Sequence, residues 1–183
     1  AMDIALSQED VALARRERAS GAYAVLCPFT TRPQKHWFDD HWFELAELID
    51  RQWGLRLLVL GGPNDTAHAD KLIDGSVMLS RAGQWPLSST AAVIAHASLL
   101  IGVDTGLTHM GIAFNVPTVA LFGSTCPYLD TTRANARVIY HALECSPCRR
   151  NPTCGGRFDC LRAISPHEVA QAVATVLPIE KTP

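Results

Sequence analysis

Short runs of consecutive apolar residues recur along this chain, each followed by a turn and then by an amphipathic helical stretch. The clearest are residues 22–27, residues 56–60, Leu99–Val103 and Thr118–Phe122. A strand that is apolar at successive positions needs cover on both faces, which a half-wet antiparallel sheet does not provide. The segments between the runs supply that cover. In residues 39–52 and just beyond, Trp42, Leu45, Ala46, Ile49 and Trp53 fall on one helical face, and Gly54 is placed to end the helix. Further helices are expected over residues 65–74, from Ser88 or Ser89 as N-cap to His96, and over residues 106–114. Weaker strands are expected at residues 77–79 and 138–140.

Near the C-terminus, Ser165-Pro166-His167-Glu168 offers Ser at the N-cap, Pro at N1 and Glu at N3. The helix it opens carries Val169, Ala172, Val173, Val176 and Leu177 on its apolar stripe, and Pro178 closes it. The whole alternation predicts an α/β fold, a three-layer Rossmann-like doubly wound parallel sheet. At 183 residues, with 48% apolar and 19% charged residues, the chain can bury one domain core and is not of disordered composition. Residues 1–20 are expected to hold a connector helix, opened by Ser7-Gln8-Glu9-Asp10, behind Ala1-Met2, which reads as a cloning residue and a start codon. Residues 21–183 make the domain, with a cysteine-rich loop at 145–160 and a C-terminal helix at 165–177.

A net charge of −2 without a Lys/Arg run argues against a nucleic-acid groove. No apolar run approaches the roughly 20 residues of a membrane-spanning helix. The first 20 residues, with Arg15-Arg16-Glu17-Arg18, lack the apolar core of a secretion signal, so a cytoplasmic location is expected.

In a doubly wound sheet, ligands sit beyond the carboxyl ends of the strands. Four segments lie there. Asp104-Thr105-Gly106 opens a helix, whose free N–H groups attract phosphate; Gly106 lets an oxygen approach the backbone, Thr105 and Thr108 add hydroxyls, and Asp104 could cap the helix or orient His109. The same residues also suit an ordinary capped turn. Thr30-Thr31-Arg32-Pro33-Gln34-Lys35 combines hydroxyls with a cation, and equally suits a solvated loop. Asp65, after Gly61-Gly62-Pro63-Asn64, could accept from ribose hydroxyls or cap its own helix. Gly123-Ser124-Thr125 could form a backbone nest for an anion. Neither a Gly-x-Gly-x-x-Gly fingerprint nor a Walker lysine loop is present, so NAD and ATP-hydrolysis readings lose ground.

Cys145, Cys148, Cys154 and Cys160 crowd into sixteen residues. Four thiolates would satisfy tetrahedral zinc, but the second spacing is short for a zinc ribbon, and local disulfides or free thiols fit as well.

Taken in order, four motif segments resemble the ADP-heptose:lipopolysaccharide heptosyltransferase family, glycosyltransferase family 9. They are Thr30-Thr31-x3-Lys35-His36-Trp37, Leu60-Gly61-Gly62-Pro63, residues 102–109 and residues 116–123; the tail from Cys145-Ser146-Pro147-Cys148 to Cys160-Leu161-Arg162 is similar too. The resemblance implies one half of a GT-B glycosyltransferase, the C-terminal domain that binds ADP-heptose, with the lipopolysaccharide-core acceptor held by an N-terminal domain not in this chain. It implies that Thr30, Thr31 and Lys35 contact the diphosphate, and that Thr105, Gly106, Leu107 and His109, beside Asp104, surround the diphosphate and the sugar. Asp65 matches a position where relatives often carry Glu near the ribose or base. The implied reaction is inverting, needs neither metal nor cofactor, and takes its base from the N-terminal domain. Lys35 and His109 would then stabilise the leaving group, and the chain alone would bind donor but hardly turn it over. Work at the inner face of the bacterial inner membrane, by peripheral contact, fits that acceptor. The rival readings are a stand-alone nucleotide or nucleotide-sugar binding module, and a zinc-dependent interaction element built on the cysteines.

Overall fold

The computed structural model describes residues 6–177. Six strands form one sheet: β1 (Tyr23–Cys27), β2 (Arg56–Val59), β3 (Met78–Ser80), β4 (Leu99–Val103), β5 (Thr118–Phe122) and β6 (Ala136–Tyr140). Every neighbouring pair is parallel, and the spatial order is β3-β2-β1-β4-β5-β6. The order reverses between β1 and β4, where Cys27 pairs with Gly102 and the two chain exits diverge. That divergence opens a crevice, the usual ligand position of such sheets.

Helices α1 (Gln8–Ala19), α4 (Leu87–Ala95) and α5 (Gly106–Ala113) share one face of the sheet. Helices α2 (Asp39–Trp53), α3 (Thr66–Ile73) and α7 (Pro166–Val176) cover the other, with a short α6 (Asp159–Arg162) ahead of α7. Strands β1, β4 and β5 are buried at every position, as their unbroken apolar runs require. Gly54 ends α2 in the left-handed conformation at φ 61°, which glycine adopts without steric cost. Ser165 accepts from the Glu168 N–H and starts α7. Residues 1–5 of the connector segment, and Pro178 as the stop of α7, lie outside the described residues.

Three local expectations are corrected. Neither Ser88 nor Ser89 caps α4, because the helix begins at Leu87 behind Pro86. Instead both hydroxyls donate to Asp10 Oδ1, at 3.3 and 2.6 Å, and Asp10 is buried. The polar helix α1 is therefore tied to α4 by a satisfied buried carboxylate, with Glu17 adding bonds from Arg56 and Arg81. The helix expected over residues 65–74 starts one residue later, after a 3-10 turn over Pro63–Asp65. Strand β6 extends two residues further towards the N-terminus than its apolar core suggests. Among the described residues, no helix is long and apolar enough to cross a membrane.

Candidate functional site

Strand β4 delivers Asp104 to the crevice, and the carboxylate is met from three directions. Lys35 Nζ, from the 3-10 turn after β1, donates to Asp104 Oδ2 at 2.6 Å. Thr125, from the loop after β5, donates its hydroxyl to the same oxygen. His109, one turn into α5, bonds through Nε2 to Oδ1 at 3.0 Å. The hydrogen bond from His109 leads in holding the Asp104 carboxyl well below the usual range; burial opposes it, and Lys35 and Thr125 add to it. Asp104 is thus an ionised hub that orients His109 and Lys35. It does not cap α5, whose N-cap residue Thr105 makes no side-chain cap bond either.

The start of α5 is consequently open. The first N–H groups of a helix have no partner within it, and here they face the crevice beside a lysine with two more N–H groups to give. Gly106 sits at that helix start, and a Cβ built on it would meet nothing within 4 Å. Its missing side chain is therefore not demanded by packing, and suits close approach of a ligand. Gly106→Ala should leave thermal stability within about 0.5 kcal/mol of the parent. It should weaken nucleotide binding about fivefold, the equivalent of one ordinary hydrogen bond; calorimetric titration beside a thermal melt reads both.

Gly102 and Thr108 behave differently. A Cβ on Gly102 would overlap Thr108 Oγ1 and stand 2.9 Å from Cys27 Cβ. Thr108 is fully buried and packs over the strand, so its hydroxyl faces the sheet and not the crevice.

On the β2 side, a cleft of about 350 Å³ is lined by Phe29, Gly61, Asp65, Trp85, Thr105 and Leu107, among others. This lies at the small end of ligand pockets and suits a flat, mostly apolar group. Gly61 is obligatory there, since a Cβ would lie 2.7 Å from the Phe29 ring. Asp65 reaches the rim, and its Oδ2 accepts from the Gly62 N–H at 2.7 Å, so it caps its own turn.

Thr30 and Thr31 lie on the loop between β1 and Lys35; the Thr30 carbonyl accepts from His36 Nε2 at 2.8 Å and folds that loop back. Lys35, Asp104 and His109 are thereby joined in one network beside the α5 start at Thr105 and Gly106. Thr105, Leu107 and Asp65 line the cleft on the β2 side, and Thr30 and Thr31 lie on the loop before Lys35 without a side-chain bond to the network among the described residues.

Sequence reasoning missed three contributors. Thr125 was legible only as part of a possible anion nest. Tyr128 carried no signal, yet its hydroxyl lies 2.6 Å from His109 Nδ1. The cysteine-rich loop braces the site through its other atoms. Ser146 Oγ donates to the Gly123 carbonyl at 2.6 Å, the Arg149 N–H to the Ser124 carbonyl at 2.7 Å, and Gln34 Nε2 to the Arg149 carbonyl at 3.2 Å. The loop so joins the turn carrying Lys35 to the turn carrying Thr125. Its four cysteines are unpaired thiols, and among the described residues no group of three or more His, Cys, Asp or Glu has metal-binding geometry.

Comparison with known proteins identifies the family. The model of the family "Glycosyltransferase family 9 (heptosyltransferase)" matches residues 1–157. Lipopolysaccharide heptosyltransferase 1 of Salmonella typhimurium is 36% identical over 129 residues, which cover 67% of this chain and 40% of that protein. Among solved structures, a glycosyl transferase family 9 protein from Veillonella parvula gives a TM-score of 0.80 at 25% identity, over 95% of this chain and 53% of that one. Escherichia coli heptosyltransferase WaaC with ADP gives 0.62 at 28% identity, over 86% of this chain and 45% of its own. The chain spans about two fifths of the Salmonella relative and about half of these solved chains. With a family model across most of its length, this chain belongs to glycosyltransferase family 9, the heptosyltransferases.

Proposed function

We propose that this chain is the donor-binding half of a heptosyltransferase and that the crevice between β1 and β4 holds the diphosphate of ADP-heptose. The observation that carries the reading is the meeting of Lys35 with the open N-terminus of α5 at the strand-order reversal, both organised by Asp104. A diphosphate there is met by an ammonium, by helix N–H groups and by the partial positive charge of the helix end. The cleft lined by Phe29, Trp85 and Leu107 then takes the adenosine, with Asp65 at its rim beside the ribose. ADP in the WaaC complex, from a relative 28% identical to this chain, supports the choice of nucleotide.

The reaction follows from that placement. An acceptor hydroxyl of the lipopolysaccharide core displaces ADP at the anomeric carbon with inversion, while a base takes the acceptor proton. Negative charge grows on the departing diphosphate, and Lys35 with the α5 N-terminus stabilises it, without a metal ion. His109 acts on the leaving group from its place between Asp104 and Tyr128. The base and the acceptor site belong to residues outside this chain, so alone it binds donor and turns it over only marginally. The enzyme works at the cytoplasmic side of the inner membrane, where that acceptor is assembled.

Titration calorimetry with ADP, UDP and GDP, followed by ADP-heptose, tests the reading. ADP is expected to bind in preference to the other two, and ADP-heptose at least as tightly as ADP. No binding, or a preference for UDP, would defeat the donor assignment.

A further inference from the structure

Tyr128 belongs to none of the motif segments, yet it completes the hydrogen bonding of the site histidine. His109 Nε2 is bonded to Asp104 Oδ1 at 3.0 Å, and Nδ1 lies 2.6 Å from the Tyr128 hydroxyl. An ionised carboxylate can only accept, so Nε2 carries a hydrogen; in the neutral ring Nδ1 is then the acceptor and the phenol is the donor. Burial, and next the nearby Asp104 charge, push the Tyr128 phenol up, so it keeps the proton it donates. The tyrosine ring is itself fixed. It stands edge-on to Phe122, with centroids 5.4 Å apart at 78°, and Phe122 is fully buried in β5. It also meets His109 edge-on, at 5.6 Å and 65°.

We propose that Tyr128 is a positioning residue of the donor site: its hydroxyl pins the His109 imidazole at Nδ1, and the pinned ring holds Asp104 in the orientation that presents Lys35. Without that bond the imidazole can rotate about its Cβ–Cγ axis, and Oδ1 of Asp104 loses its fixed partner. The carboxylate can then turn, carrying the lysine with it. An imidazole engaged at both nitrogens also has no N–H left for a phosphate, so in this arrangement its effect on the donor passes through Asp104 and Lys35. The proposal rests on the reading of the crevice as a diphosphate site.

Tyr128→Phe is the direct test, because it keeps both ring contacts and removes only the hydroxyl. Two readouts are paired: the ¹⁵N resonances of the His109 imidazole, assigned by their absence in His109→Gln, and ADP affinity by calorimetry. In Tyr128→Phe the Nδ1 resonance is expected to move downfield as its lone pair is released. ADP affinity should fall roughly three- to tenfold, the loss of about one hydrogen bond's positioning, with the thermal midpoint unchanged. An unmoved imidazole spectrum, or ADP affinity that stays equal or tightens, overturns the positioning role. Failure of the parent chain itself to bind ADP overturns the diphosphate reading, and this proposal with it. The two failures are distinct, because only the first requires a parent that binds.

Discussion

Lys35→Ala is expected to weaken ADP binding by roughly ten- to a hundredfold, the loss of a charge-assisted hydrogen bond worth about 1.5–3 kcal/mol. The size follows from two effects of one sign. The ammonium that faces the diphosphate is removed, and the Asp104 carboxylate it neutralised at 2.6 Å is left as a negative charge without its counter-ion beside another anion. The two can be separated. In the double variant Lys35→Ala/Asp104→Ala the repulsive carboxylate is gone as well, so part of the affinity lost in Lys35→Ala should return. If the double variant binds no better than Lys35→Ala, Asp104 exerts no charge effect on the ligand. Calorimetry on the parent, both single variants and the double variant completes the cycle, which isolates the coupling between the two residues.

Gly102→Ala should have the largest effect on stability. The added methyl would overlap Thr108 Oγ1 and crowd Cys27 Cβ, and both neighbours are fully or almost fully buried. Overpacking of this kind typically costs about 1–3 kcal/mol, which for a domain of this size lowers the thermal midpoint by roughly 2–12 °C. Thr108 cannot yield cheaply, because it is held in the helix that carries His109. A second substitution, Thr108→Ala, removes one of the two clashes and should recover part of the loss. Gly106→Ala, four residues along, is the matched control with no steric neighbour, and a similar stability loss there would contradict the packing account.

Those two glycines also show where reading a sequence stops. Gly102 and Gly106 stand in one motif and look alike as letters. One is fixed by a hydroxyl from the following helix, the other by nothing among the described residues. The parallel sheet and the edge on which a ligand would sit were legible, because runs such as Leu99–Val103 leave no choice but a sheet covered on both faces. The strand order was not, since apolar runs carry no record of their neighbours. Lys35, Asp104 and His109 were legible as candidates, since each follows the end of a strand. Their joining into one network was not, because Lys35 and Asp104 are 69 residues apart and meet only when β1 and β4 pair. Ser88 and Ser89 misled for the same reason. Their hydroxyls look like helix caps until Asp10, nearly eighty residues away, is seen to take them. In the cysteine-rich loop the thiols drew the eye, while Ser146 and the backbone of Arg149 make the contacts that brace the site.

The central claim is that the diphosphate of the donor lies between Lys35 and the start of α5, and a crystal structure of this chain with ADP tests it most directly. The account predicts phosphate oxygens within hydrogen-bonding distance of Lys35 Nζ and of the Gly106 and Leu107 N–H groups, with the adenine between Phe29 and Trp85. ADP bound elsewhere, or with its phosphates turned away from α5, would contradict it.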